Sequence, residues 1–545
     1  MLVDIINKIF PAIWLLVETK HLLFWLYLWQ LKDYHFGRFI DHLRTHQGRK
    51  IFLNPLYISK LGLLILFFWR GGLSNYIPLA IFLLYLSEII RFFRTVLNKS
   101  FKKPTPTKKI LFLGGISFSI IIIFLINCFS SLHLLLIFDI LISIIISFIV
   151  LILQPLSVLI RKNILKEAGK KIGEIKKRGG LQVIAIVGSY GKTSTKEFLA
   201  TILSQKYKVL KTPEHQNSEI GIANCILQDL EPDYQFFIAE IGAYNKGKIG
   251  EVSSILKPDI GIVTGVNQQH LALFGSMKNL LSAEGGEELA MALHKNGLLV
   301  LNGDNKYCLD LYKKADINNK KIYVLNRKDI EADEWAEEIE VKERFISFIV
   351  RNKNKEMEYF RVNVLGKHNA QNLLAAILVA REVGMSLEEI TNACQLISEK
   401  EAGMVLKKGK NGINIIDSSY SANPDGVLAN LDYLSIFPGK KIIVMPCLIE
   451  LGSSSSEVHK KIGRRIGEVC DMAIITTKDK FKEIKEGFDE AQNNLRNLRK
   501  NEARCLLCDR VNDIYSLINL FAKPGDAVLL EGRIPPKLIS LLFED

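Results

Sequence analysis

Cysteine is scarce in this sequence, with 8 among 545 residues, all scattered through apolar stretches. That usage is typical of a reducing compartment and argues against a fold stapled by disulfides. The single Cys-x-x-Cys pair, Cys505 and Cys508, has no second pair with which to complete a zinc site. We therefore expect these two residues to be buried thiols.

The sequence also lacks the signatures of secretion and of nucleic-acid binding. Its opening has Lys8 as the sole basic residue, and no small-residue cleavage site follows, which argues against a cleavable signal peptide. No motif with base-stacking aromatic residues stands out. Much of the formal net charge of +14 lies beside apolar runs in the first third of the chain. This pattern indicates membrane topology rather than nucleic-acid binding, and we expect no nucleic-acid partner.

Long apolar runs dominate that first third. Each of four blocks is near the ~20 residues that a helix needs to cross the hydrocarbon of a membrane. They cover residues 51–69, 76–93, 110–129 and 132 to about 160. A weaker fifth block, 9–28, carries Glu18, Lys20 and His21, and either spans the membrane or lies in its interface.

The basic residues between the blocks predict the orientation. One connection holds Lys32, Arg38, Arg44, Arg49 and Lys50, and another holds Arg94, Lys99, Lys102, Lys103, Lys108 and Lys109. The alternate connections, 71–75 and 130–131, are nearly uncharged. By the positive-inside rule both basic connections face the cytoplasm, and so does the chain beyond residue 160, which stays basic to Arg178. We expect a multi-pass protein of the plasma (inner) membrane. Its basic segment either binds anionic lipid or is a solvated helix.

A glycine-rich loop follows the apolar run 184–187. It reads Gly188-Ser189-Tyr190-Gly191-Lys192-Thr193-Ser194 and precedes a helix-favouring stretch. A strand, this loop and a helix N-terminus together bind phosphate through backbone N–H groups. Lys192 would neutralise the β- and γ-phosphates, and the hydroxyl of Thr193 or Ser194 would bind Mg²⁺. The loop is two residues shorter than the usual phosphate-binding motif; a glycine turn with a surface lysine is the alternative to nucleotide binding.

Buried strands and helices alternate beyond the loop. Strands are predicted at 183–187, 236–241, 260–266 and 298–301, with helices at 194–205 and 276–293. This order indicates a doubly wound α/β sheet that binds ligands at the carboxyl ends of its strands. Glu240 ends one strand and is either a Mg²⁺ ligand or a salt-bridged structural carboxylate. His270 follows the next strand and is either structural or functional.

Seven motifs occur in the order seen in the Mur ligases, a family that this chain resembles from about residue 182 to 542. Within it, the resemblance is to ligases that add D-alanyl-D-alanine. The motifs are Gly188 to Ser194, Asn217-x-x-x-Gly221, Ile-Ala-Glu240-Ile-Gly, His270-Leu-x-x-Phe-Gly-Ser, Leu-Asn302-Gly-Asp304-Asn305, Gly366-Lys-His368-Asn369-x-x-Asn372 and Asp417-Ser-Ser-Tyr420-Ser-Ala-Asn423-Pro424.

The resemblance implies an ATP-dependent ligase that converts a carboxylate to an acyl phosphate, which an amine attacks to give an amide. It implies that residues 188–194 bind the phosphates and that Lys192 stabilises the transferred group. It implies Thr193, Glu240 and His270 as Mg²⁺ ligands. Further nucleotide contacts are implied at Asn302, His368, Asn369, Asn372 and Asp417. The implied partners are a cell-wall precursor, nucleotide- or lipid-linked, and a dipeptide or amino-acid amine.

A second α/β pattern follows in the C-terminal part. Strands are predicted at 413–416, 441–445, 472–476 and 527–530, with a helix at 457–470. Glu450-Leu451-Gly452 and Glu531-Gly532-Arg533 resemble the amine-side region of the ligases. The predicted fold is an N-terminal α-helical membrane region (1–160), a basic linker (161–180), a phosphate-loop central domain (181–400) and a Rossmann-like C-terminal domain (401–545).

Three departures from the family pattern stand out. Many Mur ligases have a carbamylated lysine about fourteen residues past the histidine, and Glu284 occupies that place here. Glu284 either supplies the same negative charge or is a solvated helix residue, in which case Glu287 or Glu288 could substitute. The usual Pro-Gly-Arg at the domain junction reads Ala402-Gly403-Met404, which lacks the arginine.

The third departure is that membrane helices stand in place of the domain that recognises the UDP-sugar. The membrane region either binds a lipid-linked substrate or only anchors the enzyme.

The leading hypothesis is a membrane-bound ligase of peptidoglycan precursor synthesis. A Mur-type ligase for another polymer, such as poly-γ-glutamate, is an alternative, but the His-Leu-x-x-Phe-Gly-Ser and Glu-Leu-Gly stretches argue against it. A membrane ATPase of transport or sensing is an alternative from another class. It would be expected to show a Walker B aspartate and a signature loop, and the sequence shows neither.

Overall fold

The computed structural model describes residues 2–68, 76–98, 101–214, 216–419, 422–495 and 503–543. Its contacts divide the chain into two units, Met1–Ile160 and Arg161–Asp545. Four features of the sequence analysis lie outside the described residues: position 69 of the first apolar block, the connection 71–75, Lys99 and Tyr420.

The first unit is helical because apolar runs satisfy their backbone hydrogen bonds internally as helices. Its core is rich in aromatic residues, and Trp14, Trp29 and Tyr85 are fully buried. The helices are α1 (Leu2–Leu31), α2 (Phe36–Arg44), α3 (His46–Phe52), α4 (Pro55–Phe68), α5 (Ile77–Leu97), α6 (Lys108–Cys128), α7 (Leu132–Ile152) and α8 (Gln154–Arg178), which continues into the second unit.

Among the described residues, four helical segments are long and apolar enough to cross a membrane: Lys8–Leu31, Gly48–Phe68, Lys108–Cys128 and Leu132–Arg178. The set differs from the predicted one in two respects. The weak block 9–28 is included. The block 76–93 forms α5, but α5 is not one of the four candidate membrane-spanning segments, because Glu88, Arg91 and Arg94 give that helix too many charges. The last predicted block also divides into α7 and α8 near Pro155, since proline cannot donate the backbone hydrogen bond that would continue a helix.

The second unit begins with the rest of α8. Leu165, Ala168 and Ile172 of this helix lie in the same apolar core as Val183 of the first strand. Arg161 pairs with Glu219 at 3.0 Å and with Glu251 at 2.9 Å. The basic segment predicted as a linker is therefore a packed helix over these residues.

A nine-stranded sheet follows, in the order β2-β3-β1-β4-β5-β6-β7-β8-β9. Its elements are β1 (Gln182–Val187), α9 (Lys192–Leu203), β2 (Val209–Lys211), α10 (Glu219–Asp229), β3 (Phe236–Glu240), α11 (Lys248–Leu256), β4 (Ile260–Val263), α12 (Leu271–Phe274), α13 (Met277–Ala283), α14 (Glu287–Ala292), β5 (Leu298–Asn302), α15 (Lys306–Lys314), β6 (Asn319–Val324), β7 (Glu334–Val341), β8 (Ile346–Asn352), β9 (Met357–Val362), α16 (His368–Glu382) and α17 (Leu387–Cys394).

The doubly wound α/β sheet predicted from the sequence is confirmed. The seven strands β1 to β7 pair in parallel, and β8 and β9 add an antiparallel extension. Successive side chains of β1 enter opposite cores: Ile184 and Ile186 pack towards α9 and α16, whereas Val183 and Ala185 pack towards α8 and α10. The carboxyl ends of β1, β3 and β4 therefore meet at one edge of the sheet.

The helix predicted at 276–293 is wrong as a single element. It divides into α13 and α14 around Gly285 and Gly286, and Gly286 has φ 85°. A Cβ atom on Gly286 would lie 2.5 Å from the Val263 side chain, so the glycine lets this turn approach β4. The break places Glu284 at the end of α13.

The C-terminal sheet has six strands in the order β10-β11-β15-β12-β13-β14, parallel except for β10. Its elements are β10 (Val405–Lys408), β11 (Asn414–Ser418), α18 (Pro424–Leu434), β12 (Lys441–Met445), α19 (Ser455–Val469), β13 (Met472–Ile475), α20 (Phe481–Leu495), β14 (Arg504–Leu507), α21 (Val511–Phe521), β15 (Ala527–Glu531) and α22 (Pro536–Leu542). Strands β10 and β14 were not predicted. Both Cys505 and Cys508 are free thiols; Cys505 is buried as expected, but Cys508 is only half-buried, so the prediction of two buried thiols is wrong for Cys508.

Candidate active site

The loop between β1 and α9 follows a path that only glycine allows at two positions. Gly188 has φ 140° and Gly191 has φ 74°. A Cβ atom on Gly188 would lie 2.2 Å from Thr264 Oγ1, and one on Gly191 would lie 2.4 Å from Asn372 Oδ1. The loop is thus held closely between the end of β4 and the first turns of α16.

The first turn of α9 is built to bind an anion. Gly191 is its N-cap and has no side chain with which to cap the N–H groups of this turn. Lys192 Nζ donates to Gly188 O at 2.5 Å and so folds back over the loop. N–H groups at a helix N-terminus beside a lysine are the features that bind phosphate, and a nucleoside triphosphate fits this site.

The two hydroxyls after Lys192 point to different partners. Thr193 Oγ1 donates to Glu240 Oε2 at 2.9 Å, whereas Ser194 Oγ donates to Ala402 O at 3.3 Å. Thr193 is therefore the hydroxyl that meets the carboxylate at the end of β3. In the same loop the Tyr190 hydroxyl accepts a hydrogen bond from Asn305 at 3.3 Å.

Glu240 is buried and held from three sides. Besides Thr193, Asn217 Nδ2 donates to its Oε1 at 2.9 Å, and Lys196 Nζ lies 3.8 Å from Oε2. Lys196 is itself fully buried and donates to Thr212 O at 2.9 Å. A hydroxyl and a carboxylate together offer the hard oxygen ligands that Mg²⁺ prefers, while Lys196 stabilises the buried negative charge.

Glu284 joins the loop to His270. Its Oε1 lies 2.7 Å from His270 Nδ1, and its Oε2 accepts the Ser189 hydroxyl at 2.6 Å. The side chain is only 2% exposed, so the interpretation of Glu284 as a solvated helix residue is wrong. Burial raises the pKa of Glu284, but the charge and hydrogen bond of His270, with Lys192 nearby, bring that pKa below its ordinary value.

The neighbouring glutamate Glu288 serves a different element. Its two oxygens accept the backbone N–H groups of Gly247 at 2.7 Å and Gly250 at 2.9 Å, which caps the start of α11. Glu288 therefore does not take the place of Glu284.

Four of the residues predicted as further nucleotide contacts, Asn302, His368, Asn369 and Asn372, lie at the end of β5 and the start of α16. Asn302 is fully buried; its Nδ2 donates to Thr264 O at 2.7 Å, and its Oδ1 accepts from Gln371 at 3.1 Å. Asn372 Nδ2 donates to Asn369 Oδ1 at 3.0 Å. These amides fix the loops of the pocket through protein contacts.

His368 begins α16, and its buried Nδ1 has no hydrogen-bond partner in the described ranges of the chain. A buried polar atom without a partner is costly unless a ligand satisfies it, which suits a nucleotide contact.

The C-terminal domain closes one side of the site. Glu450 adopts a left-handed backbone with φ 69°, and its carbonyl accepts the Ala272 N–H at 3.0 Å. Its Oε2 lies 3.9 Å from His270 Nε2. Asn267 Nδ2 also donates across the domains, to Asp425 Oδ2 at 2.9 Å. Asp417 lies at the end of β11, where its Oδ1 accepts the Ser419 N–H at 3.1 Å.

Sequence reasoning missed Lys196 and Thr264. Thr264 Oγ1 donates to Val187 O at 3.1 Å and also to Tyr190 O, so it clamps the phosphate loop. Its place just after β4, beside polar residues that end other strands, is a signal that could have found it. Lys196 is the second of two lysines in one helix turn, and the sequence offers no sign of its burial.

Comparison with protein families supports this assembly. Residues 186–380 match the Mur ligase middle domain, and residues 404–534 match the glutamate ligase domain of Mur ligases. Together the two matches cover more than half of the chain.

The chain belongs to the Mur ligase family.

Individual relatives agree with this assignment. This Mur ligase is 28% identical over 318 residues to the UDP-N-acetylmuramoyl-tripeptide–D-alanyl-D-alanine ligase of Escherichia coli (strain K12), covering 57% of this chain and 69% of that protein. It is 26% identical over 369 residues to the Bacillus subtilis (strain 168) ligase of the same name, covering 67% and 75% of the two chains.

Solved structures share the fold. MurF from Acinetobacter baumannii has a TM-score of 0.61 at 24% identity, over 70% of this chain and 80% of that one. MurF ligase from Thermotoga maritima in complex with ADP has a TM-score of 0.59 at 22% identity, over 70% and 83%. As a member of the family, this Mur ligase is an ATP-dependent enzyme that forms carbon–nitrogen bonds.

Proposed function

We propose that this Mur ligase is a MurF-like amide ligase of peptidoglycan precursor synthesis that joins D-alanyl-D-alanine, or a similar amine, to a precursor carboxylate. The observation that carries the proposal is the meeting of the phosphate loop with Glu240 and with the His270–Glu284 pair at one sheet edge. Similarity to ligases named for D-alanyl-D-alanine addition supports the choice of amine.

The residues of the site have separable tasks in this proposal. The N–H groups of the first turn of α9 bind the phosphates of ATP, and Lys192 supplies positive charge where the γ-phosphoryl group is transferred. Thr193, Glu240 and His270 would hold Mg²⁺, which neutralises phosphate charge when bound. Asn302, His368, Asn369, Asn372 and Asp417 would contact or shape the nucleotide pocket.

Glu284 takes the place of the carbamylated lysine in this proposal. Both groups end in a carboxylate, and Glu284 already contacts His270 and the phosphate loop. The side chain fixes His270 and supplies negative charge without needing CO₂. Glu240, His270 and Glu284 are buried or half-buried, so the reacting groups lie where water is restricted and an acyl phosphate survives longer.

The apolar helices support a membrane location, with the ligase domains on the cytoplasmic side. In this proposal the precursor is carried by a nucleotide or by a lipid, and a lipid carrier accounts for membrane helices in place of the domain that recognises the UDP-sugar. The membrane location itself is tested by fractionation: after carbonate washing the full chain should stay with the membranes, and release into the wash would contradict it.

The activity is tested by measuring ATP-dependent phosphate release by the detergent-solubilised full chain. D-Alanyl-D-alanine is added with UDP-MurNAc-tripeptide or with its lipid-linked form, and Lys192→Ala is the blank. Release with both partners, together with a new amide product, supports the proposal and identifies the carrier. Phosphate release that neither acceptor stimulates would overturn the MurF-like assignment.

A further inference from the structure

A cluster of ionisable side chains lies in the core of the N-terminal helical unit. Glu18 and His21 come from α1, Lys60 from α4, Glu88 from α5 and Asp139 from α7. Glu18, Lys60, Glu88 and Asp139 are each at most 4% exposed. Charges buried among apolar helices are costly and mark functional sites. The ligase mechanism uses none of these residues.

Most of the polar atoms in the cluster are paired. Glu88 Oε1 accepts from Lys20, and Glu88 Oε2 lies 2.8 Å from Lys60 Nζ. Asp139 Oδ2 accepts from Lys60 at 2.5 Å and from the Tyr85 hydroxyl. These pairs account for both lysines and for three of the carboxylate oxygens.

Three groups are left over, and they face one another. Asp139 Oδ1 lies 3.1 Å from His21 Nδ1. The Glu18 side chain is fully buried, and neither of its oxygens has a hydrogen-bond partner among the residues that the structure describes. One donor atom from each of Glu18, His21 and Asp139 lies within 4.8 Å of the others, close enough to bind one metal ion.

The hydrogen bond on the far side of the imidazole matches a metal-bound histidine. His21 Nε2 lies 3.0 Å from Glu88 Oε1. When Nε2 carries the proton and donates it to that carboxylate, the lone pair of Nδ1 points to Asp139. Ligating histidines generally donate their other N–H in this way, which orients the ring and strengthens it as a ligand.

One imidazole and two carboxylates are a ligand set that suits zinc, and three protein ligands leave a fourth position open.

We propose that Glu18, His21 and Asp139 form a divalent transition-metal site of the zinc class, with an open coordination position, inside the N-terminal helical unit. The site is separate from the Mg²⁺ ligands of the ligase domains, so it does not depend on the proposed function. Its open position could accept water or an anionic group.

The test is zinc retention by the full chain, purified in detergent without a polyhistidine tag. The protein is loaded with ZnCl₂ in excess Mg²⁺, passed through gel filtration and analysed by mass spectrometry for zinc. We expect about one zinc ion per chain. Glu18→Gln should reduce retention to background, and it should fold normally because Glu18 has no hydrogen bond to lose within the described part of the chain. His21→Gln should have the same effect.

His133→Gln is the matched control, since His133 lies on α7 outside the cluster and contacts the Phe67 ring. It should retain zinc. X-ray absorption at the zinc edge should show nitrogen and oxygen ligands. Sulfur ligands, absence of zinc from the wild type, or unchanged retention in a folded Glu18→Gln protein would each overturn the proposal.

Discussion

Glu284 Oε1 lies 2.7 Å from Nδ1 of His270, while the other oxygen of the same carboxylate accepts the hydroxyl of Ser189 in the phosphate loop. One side chain thus joins the loop to a proposed metal ligand. Because these contacts orient a proposed metal ligand and the phosphate loop, a change at Glu284 should affect catalysis.

We expect Glu284→Ala to lower kcat by about 100-fold, the usual order of loss when a buried electrostatic contact at an active site is removed. Bicarbonate should not stimulate the wild type, because a glutamate needs no carbamylation. Glu284→Lys should recover part of the activity, and only with bicarbonate. The measurement is phosphate release with and without added bicarbonate.

The matched control is Glu287→Ala, on the next helix, which should behave like the wild type. Stimulation of the wild type by bicarbonate would show that a lysine elsewhere is carbamylated, and the role of Glu284 would then be lost.

The contact between Thr193 and Glu240 gives a second prediction. Thr193→Val keeps the shape of the side chain but removes the hydroxyl that donates to Glu240 at 2.9 Å. Mg²⁺ would lose a ligand, so the variant should need more Mg²⁺ for half-maximal activity, and kcat/KM should fall by about 100-fold. The measurement is a Mg²⁺ titration of phosphate release.

Thr201→Val is the control for this change. Thr201 lies on the same helix, and its hydroxyl donates to Glu401 at 3.2 Å. It should leave the Mg²⁺ requirement unchanged. Equal Mg²⁺ requirements in Thr193→Val and in the wild type would exclude Thr193 as a ligand.

Residues of the candidate site could be predicted from the sequence where a polar side chain ends a predicted strand or lies in the loop after it. Glu240 ends β3, Lys192 and His270 lie in the chain after β1 and β4, and parallel strands bring their carboxyl ends to one edge. Glu284 could be found only by counting along the family pattern, because its contacts depend on the break between α13 and α14.

Other features could not be predicted because non-local packing decides them. Strands β7 and β9 carry charged residues between their apolar ones, so their apolar alternation is weak. Glu18 and His21 left their segment either spanning the membrane or lying in its interface, since nothing local shows that Lys60 and Asp139 come to meet them.

A pH-dependent stability follows from Glu531. This carboxyl group ends β15, is 1% exposed, and accepts from Asn430 at 2.8 Å. Burial raises its pKa from 4.5 to about 8, although the hydrogen bonds from Asn430 and Ser418 oppose the shift. Between these two values the folded protein binds a proton that the unfolded chain has released. The contribution of Glu531 to the free energy of unfolding is therefore largest below pH 4.5. It decreases towards pH 8, by at most about 1.4 kcal/mol per pH unit.

Glu531→Gln should flatten that part of the stability profile, because the amide stays neutral as the protonated acid does. The measurement is the melting temperature of the full chain between pH 5 and pH 8. Glu457→Gln, an exposed change on α19, should keep the wild-type slope. If Glu531→Gln and the wild type show the same slope, Glu531 is ionised in the folded protein.

The glycine of the phosphate loop gives the last prediction. In Gly191→Ala the new Cβ atom would lie 2.4 Å from Asn372 Oδ1, at a backbone φ of 74°. The left-handed backbone alone costs an L-residue roughly 1–2 kcal/mol.

Gly525→Ala is the matched control. It has the same backbone cost at φ 91°, but its Cβ atom would meet nothing within 4 Å among the described residues. Both variants should therefore melt at lower temperatures, whereas only Gly191→Ala should move the loop and weaken ATP binding, by at least about tenfold (1.4 kcal/mol). Binding of a fluorescent ATP analogue measures the difference, and equal affinities in the two variants would mean that Asn372 yields and that the loop tolerates a side chain at position 191.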